Sequence, residues 1–374
     1  MPLVNQDINS PISILSAFDA DVIKECEVYL LSNDNAHFYH HPYWLNILSE
    51  ETGQPFYYLI SRNAENKING ILPLLRTKGI PFGPVDVLSS KRLASLPRTP
   101  FAGPVADNDN IKALLLQSVK ALSGEYSDYL IQIKSTSALS NVDPSFKCIE
   151  WRKTFVKIVP PKNEDLLFAE HTQRDITRCL KRAKEHNISF KIADSLEELK
   201  KWYLLYLERM RFHRVPARSF DFFKNCWVTL YPKGMMELTI AVLNNRGSFE
   251  VLAGNVNFLF KDYYYGGFGA GNVDKSYLQF GDFLMYNEIL ILREKGIKFY
   301  DIGEVPASHS SLEKYKKKWG TEQVQLYHNY YGKLSDKVKE DLDFSSDTSL
   351  STKLWRKIPL PLTAQVGKII NNRL

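Results

Sequence analysis

Two carboxylates and one lysine pose the chemical question in this sequence. In FYDIGEVPASHSSLEKYKKKWGTEQV, residues 299–324, an apolar strand-like run ends in Asp301 and Glu304, and a lysine-rich segment, KYKKKWG, follows after one loop. A carboxylate at the end of a buried strand can serve as a general base. A lysine held among apolar side chains carries a charge suited to an oxyanion or a phosphate. Ser310 followed by Glu313 has the spacing of a capping box and predicts a helix start there. At ~100° per residue, Leu312, Tyr315, Lys316 and Trp319 share an arc of about 100°. Lys314, Lys317 and Lys318 fall on the other side with Glu313 and read as a solvated face. Lys316 reads in two ways. Its stem covers the core while its head reaches water, or its charge sits beside a dry pocket walled by Tyr315 and Trp319.

Two further stretches could meet a ligand. In HTQRDITRCLKRAKEHN, residues 171–187, Arg174, Arg178, Lys181 and Arg182 span one helical face, and Ile176, Cys179, Leu180 and Ala183 the opposite one. Such a stripe is either solvated or a docking edge for phosphates. YYYGGFGAGN, residues 263–272, has glycines spaced like a dinucleotide fingerprint, but it reads as a strand rather than a turn opening a helix. Glycines within a strand either permit close approach of a ligand or of another backbone, or mark a bulge in a twisted sheet. No GxxxxGK[ST] loop, no Cys/His metal spacing and no Ser-His-Asp or Cys-His arrangement is present, so metal and covalent chemistry are not expected. The aromatic residues lie in apolar strand patterns without an RNA-binding signature, and no DNA partner is expected.

These residues need a scaffold. The chain of 374 residues, 44% hydrophobic and 24% charged with net charge +6, is long enough for two domains. Its four cysteines are scattered, which fits a reducing, cytoplasmic setting. No signal-peptide pattern is read at the start, and no uncharged apolar run reaches the ~18 residues that span a bilayer. Helices are predicted over 19–31, from Pro42 to about Glu51, over 107–124, 171–187 and 195–212, and over 277–295 before Gly296. Hairpins are predicted over 56–77 and 236–260, and strands over 129–134, 262–271 and 298–303. Hairpin, connection, helix and strand thus occur twice, at 56–134 and 236–303, which implies two similar α/β (α+β) domains, each a mixed twisted sheet flanked by helices. The expected division is residues 1–150, residues 151–345 with the active site, and a basic amphipathic tail over 346–374.

Asp301-Ile-Gly303, Tyr315-Lys-Lys-Lys-Trp319-Gly320 and LYHNYY (326–331), together with HPYWLNIL (41–48), NGILPLL (69–75), RDITRCLKRAKEHNISF (174–190) and WRKIPLPL (355–362), resemble the FemAB-type peptidyltransferases. These are tandem relatives of the GNAT acyltransferases, and the resemblance extends to the FemAB-related proteins of exopolysaccharide gene clusters. It implies two tandem GNAT-like domains and amide-forming acyl or aminoacyl transfer to an amine, in cell-envelope, peptidoglycan or extracellular polysaccharide synthesis. It implies Lys316, Asp301 and Glu304 as catalytic groups, and Arg174, Arg178, Tyr265, Gly267, Tyr315 and Trp319 as substrate-binding ones. Glu304 stands where family members often carry a basic residue, and is either a base near the acceptor amine or a loop carboxylate paired with a surface lysine. No tightly bound cofactor is implied; the acyl donor is a cosubstrate, either an aminoacyl-tRNA or an acyl-CoA, although the GNAT pyrophosphate loop is missing before residue 280. The acceptor is a small-molecule or lipid-linked envelope glycan. The alternatives are a catalytically silent paralogue that binds a glycan or lipid carrier, or an acyl-CoA-dependent N-acetyltransferase. After Asp347 the chain has no acid but keeps Lys353, Arg356, Lys357, Lys368 and Arg373. Such an end either docks on the second domain or makes a peripheral contact with the inner membrane face.

Overall fold

A computed structural model describes residues 12–79, 90–124, 129–245, 247–306, 308–332 and 359–373. The chain divides into two units: residues 1–153, 325–345 and 370–374 form one, and residues 154–324 and 346–369 the other. The first break lies beside the expected boundary at residue 150. After residue 324 the described residues 325–332 group with the first unit.

In the first unit, strands β1 (Ile12–Leu15), β2 (Phe56–Arg62), β3 (Ile68–Thr77) and β4 (Arg92–Ala94) are followed by β5 (Val105–Ala106) and β6 (Leu130–Ser135). Helices α1 (Ala20–Ser32), α2 (Pro42–Thr52) and α3 (Asp109–Gly124) intervene, and Pro42 starts α2 where its missing N–H costs nothing. The hairpin β2–β3 and the pair β3–β4 are antiparallel, whereas β4 runs parallel to β6. Leu115, Leu116, Val119 and Leu122 turn one face of α3 onto Leu72, Leu74, Leu93, Ile131 and Ile133 of the sheet, all buried. Burying a side chain of this size contributes about 1.5–3 kcal/mol.

The second unit repeats that order. It contains the end of β7 (Lys147–Ile158), α4 (Glu170–Glu185), β8 (Ile188–Ile192), α5 (Leu196–His213) and α6 (Phe220–Leu230). Then come β9 (Met236–Asn245), β10 (Ser248–Phe260), β11 (Tyr263–Gly271), α7 (Phe280–Glu294), β12 (Phe299–Val305) and α8 (Ser310–Lys317). Strand order is β7-β12-β11-β10-β9-β8. As in the first unit, a hairpin (β9–β10) and an antiparallel neighbour (β11) are followed by a helix and a parallel strand (β12). The two halves thus repeat one arrangement, mixed strands with helices packed on them, as the repeated order of elements predicts. Ile176 of α4, Met285, Ile289 and Leu292 of α7, and Trp319 pack on Tyr264 and Tyr300 of the sheet. Trp202 of α5 donates its indole N–H to Gly254 O at 2.8 Å, and a Cβ on Gly254 would sit 2.9 Å from that ring, so only glycine lets α5 approach.

Strand β13 (Thr321–Tyr331) carries LYHNYY, and its residues Tyr327–Tyr331 pair antiparallel with β6 in the first unit. Helix α9 (Leu360–Asn371) is the described part of the tail. Within the second unit its Gly367 lies against Ala217, where a Cβ would meet the carbonyl oxygen at 2.1 Å, and Lys368 pairs with Asp221 at 3.7 Å. This part of the tail is docked, while Lys353, Arg356 and Lys357 lie outside the described residues. Among the described residues no helix is long and apolar enough to cross a membrane.

Candidate active site

The parallel pairing of β11 with β12 covers only Tyr263, Tyr264 and Tyr265, opposite Phe299, Tyr300 and Asp301. Both strands continue past it, β11 to Gly271 and β12 to Val305, with no further pair among the described residues. Where two parallel strands part, backbone groups lose their ladder partners and must find others. The first unit meets this need with its own chain. Beyond the pair Ala94–Gln132, Ser95 N–H donates to Gln132 O, Ala102 N–H donates to Lys134 O, and the Lys134 ammonium donates to Leu96 O and Thr99 O, both at 3.0 Å. The loop after β4 thus covers that edge.

In the second unit a side-chain cluster sits at the equivalent place. Asp301, 5% exposed, accepts the Thr154 hydroxyl and the Gly303 N–H (2.8 Å), both on Oδ1. Gly303 has φ of +87°, a left-handed conformation that glycine adopts without a Cβ penalty. This turn swings successive carbonyls toward one point, and Lys316 occupies it. Its ammonium donates to Ile302 O at 2.7 Å, Gly303 O at 2.8 Å and Glu304 O at 3.2 Å. An ammonium has three protons to donate, so a substrate oxyanion reaches Lys316 by displacing a carbonyl, and the Glu304 carbonyl is held at the longest distance. Burial pushes the Lys316 ammonium down to about 8, against the opposing pull of the Asp301 and Glu304 carboxylates. Burial also raises the Asp301 carboxyl above its usual value, more than the hydrogen bonds from Thr154 and Gly303 lower it. A carboxyl moved up and an ammonium moved down, side by side, are the kind of shifted pair that marks a functional site.

The remaining side chains of KYKKKWG hold this cluster in place. Trp319 is fully buried in the core and reaches no solvent, so it fixes the helix rather than walling a pocket. Tyr315 stands edge-on to Trp319 and brings its hydroxyl to the first turn of α7, 3.6 Å from where a Cβ on Gly281 would be. Burial raises its phenol. Lys314 and Lys317 are exposed, and Lys317 pairs with Glu313 at 2.6 Å. Lys318 departs from the expected solvated face: its side chain is only 14% exposed and bridges Asp175 of α4 (3.1 Å) and Asp282 of α7 (2.8 Å). It sits at the C-cap of α8, where the chain leaves the helix and the wheel no longer applies. The expected capping box is absent as well. His309 is the N-cap, Ser310 is already helical, and no side chain caps the end.

Gly267 is the extra residue of a β-bulge, skipped between the pairs Val256–Phe268 and Asn257–Gly266. A Cβ there would lie 2.7 Å from the Phe258 ring and 2.9 Å from Val256 O, so the glycine answers to its own sheet. Tyr265, 1% exposed, faces Asp301 in the last parallel pair and stacks on Tyr263. Arg174 and Arg178 lie on the outer face of α4, as its buried Ile176, Cys179 and Ala183 require. They pair with Glu170 (4.0 Å) and Asp175 (3.3 Å) and remain 67% and 52% exposed. The structure therefore brings Asp301, Glu304, Lys316, Tyr265, Tyr315 and Trp319 into one region. The arginine stripe stands outside it and, among the described residues, is linked to it where Asp175 accepts from both Arg178 and Lys318. Surface pairs of this kind contribute about 0–1 kcal/mol. Replacing both arginines with Gln should leave thermal unfolding within about 0.5 kcal/mol of wild type. If the stripe meets phosphates, binding of bulk tRNA should weaken and its log–log salt slope shrink by about 1.5. An unchanged slope would make the stripe a solvated face.

Sequence reasoning missed two polar residues here. Thr154 gave no signal, because its partner lies 147 positions away. Glu288, 1% exposed on α7, accepts from Thr239, from Tyr300 (2.7 Å), and from the amides of Asn255 (2.9 Å) and Asn257 (3.2 Å). Burial raises its carboxyl. Its signal was an acid four residues from both Leu284 and Leu292 on an apolar stripe. Among the described residues no cluster of side chains could hold a metal ion.

Residues 170–317 match the family model described as an acetyltransferase (GNAT) domain. Among solved structures the chain is similar to FemX, with 17% identity and a TM-score of 0.67 over 86% of this chain and 97% of that one. It is also similar to L-PGS from Bacillus licheniformis (11% identity, TM-score 0.56, covering 86% and 94%). A domain assigned to a lysylphosphatidylglycerol synthetase of Agrobacterium fabrum gives 11% identity and a TM-score of 0.54 over 84% and 93%. No curated protein matches the sequence. The end of the β11–β12 pairing and the family match fall on the same unit: residues 170–317 are similar to a GNAT acetyltransferase domain, and the chain has a fold like that of FemX.

Proposed function

We propose that the protein transfers an acyl or aminoacyl group from an activated ester or thioester to an amine, forming an amide, in the synthesis of a cell-envelope glycan or peptidoglycan. The observation that carries this reading is the Asp301–Gly303 turn capped by Lys316 at the point where β11 and β12 part. The amine attacks the acyl carbon and loses a proton to a carboxylate of the turn, Asp301 or Glu304. The oxyanion that forms is stabilised by the Lys316 charge, which exchanges its longest carbonyl contact for the substrate oxygen. Losing such a donor costs roughly 2.7–4 kcal/mol of transition-state stabilisation. The pathway rests on the sequence resemblance to FemAB-type proteins, and the names of the fold neighbours, which include a lysylphosphatidylglycerol synthetase, accord with an envelope acceptor. A second reading, N-acetylation from acetyl-CoA, is favoured by the acetyltransferase description of the matched family.

Mass spectrometry of envelope glycan and peptidoglycan from cells with and without the gene tests the reading. An acyl or aminoacyl increment on an amine should disappear with the gene. An aminoacyl mass supports the first reading and an acetyl mass the second; identical spectra would refute both.

A further inference from the structure

We infer that Asp301, not Glu304, is the proton acceptor of the reaction, and that Thr154 is the positioning residue that orients it. This rests on the acyl-transfer reading and extends it to a residue outside the matched segment 170–317. Thr154 stands on β7, is 2% exposed, and gives its hydroxyl proton to Asp301 Oδ1. The Gly303 N–H approaches the same oxygen from the turn. With both donors on Oδ1, the carboxyl cannot rotate without losing one of them. Oδ2 accepts no hydrogen bond among the described residues and is the lone-pair donor left for a substrate proton. Asp301 is also the last β12 residue to pair with β11, so its position is fixed by the sheet. Glu304 lies beyond the left-handed Gly303 and outside that pairing.

The step balances as follows. The amine nitrogen forms a bond to the acyl carbon, and its proton passes to Asp301 Oδ2. The carbonyl reforms as the bond to the leaving oxygen or sulfur breaks. Asp301 then returns the proton to that leaving group, giving the amide and a free alcohol or thiol. The Thr154 hydroxyl and the Gly303 N–H remain donors to Oδ1 throughout. They favour the ionised carboxylate against the burial that opposes it. Removing the Thr154 donor should therefore make Asp301 harder to ionise, and the direction of that change is testable.

The test is a titration of full-length protein labelled with 13C at aspartate side-chain carboxyls, with the Asp301 signal identified by its absence in Asp301→Asn. In Thr154→Val, which keeps the shape of the side chain, the Asp301 midpoint should move to higher pH. Thr154→Ser, which restores the hydroxyl, should return it. With acetyl-CoA or aminoacyl-tRNA as donor and an envelope extract as acceptor, Thr154→Val should move the acid limb of the rate in the same direction and lower kcat more than it raises KM. Glu304→Gln should lower kcat by less than Asp301→Asn does. The titration needs no substrate, so an unmoved midpoint in Thr154→Val refutes the positioning role by itself. A moved midpoint in a protein that transfers nothing refutes the acyl-transfer reading, and the base assignment falls with it. Loss of turnover in Glu304→Gln with full activity in Asp301→Asn overturns the choice of base.

Discussion

Asp301→Asn should lower turnover by about 100- to 10,000-fold, the range for removing a positioned general base, while the protein folds as well as wild type. The asparagine oxygen can still accept from Thr154 and from Gly303 N–H, so neither donor is orphaned. The sign of the charge effect points the same way. Burial raises the folded-state value of Asp301 above its unfolded value. The folded state therefore holds the proton more tightly, and the associated stability, full below the unfolded value, is lost as pH rises through the folded one. Asparagine carries no such penalty at neutral pH. The variant should match or exceed the wild-type melting temperature, with activity nearly gone. A matched loss of stability and activity would mean that Asp301 is part of the scaffold alone.

Lys316→Met should behave differently, losing both activity and stability. Turnover should fall about 100- to 1000-fold if the ammonium stabilises the oxyanion. The three carbonyls it caps lose their donor as well, at a cost of about 1–3 kcal/mol for each that water fails to reach. Lys317→Met, one residue along and exposed, gives up a single surface pair with Glu313, worth about 0.3–0.5 kcal/mol, and should leave turnover unchanged. The pH dependence follows from the same pair of groups. With Asp301 raised and Lys316 lowered to about 8, wild-type kcat/KM should be bell-shaped, with its alkaline limb near pH 8. Equal and small losses in Lys316→Met and Lys317→Met would reduce α8 to a basic surface helix.

Much of this arrangement is visible in the order of residues. The repeated hairpin, helix and strand emerge as two sets of strands with the same sense of pairing, because alternation and helix periodicity are local properties. The inward turn of Lys316 and the outward turn of Arg174 and Arg178 follow from the helical wheel in the same way. What escaped is non-local or falls at element ends. Lys318 lies one residue past α8, where periodicity stops and Asp175 and Asp282 decide its place. The short β4 is too brief for a strand pattern and exists because β3 and β6 flank it. LYHNYY reads locally as a strand, but nothing in it reveals that Tyr327 would find Ser135 of the first unit. The Asp301-Ile-Gly303 motif was legible as a resemblance; its physical content, a carboxylate closing a left-handed glycine turn whose carbonyls a lysine caps, required the fold.

The central claim is that this turn is the centre of an acyl transfer. The most direct measurement follows label from donor to acceptor by mass spectrometry. Purified wild type and Asp301→Asn are each incubated with an envelope extract and with 13C-labelled acetyl-CoA or 13C-aminoacyl-tRNA. Wild type should place the donor's labelled group on an acceptor amine as an amide, and the folded Asp301→Asn protein should do so at least 100-fold more slowly. Equal transfer by the two proteins, or no labelled amide from either donor, would contradict it.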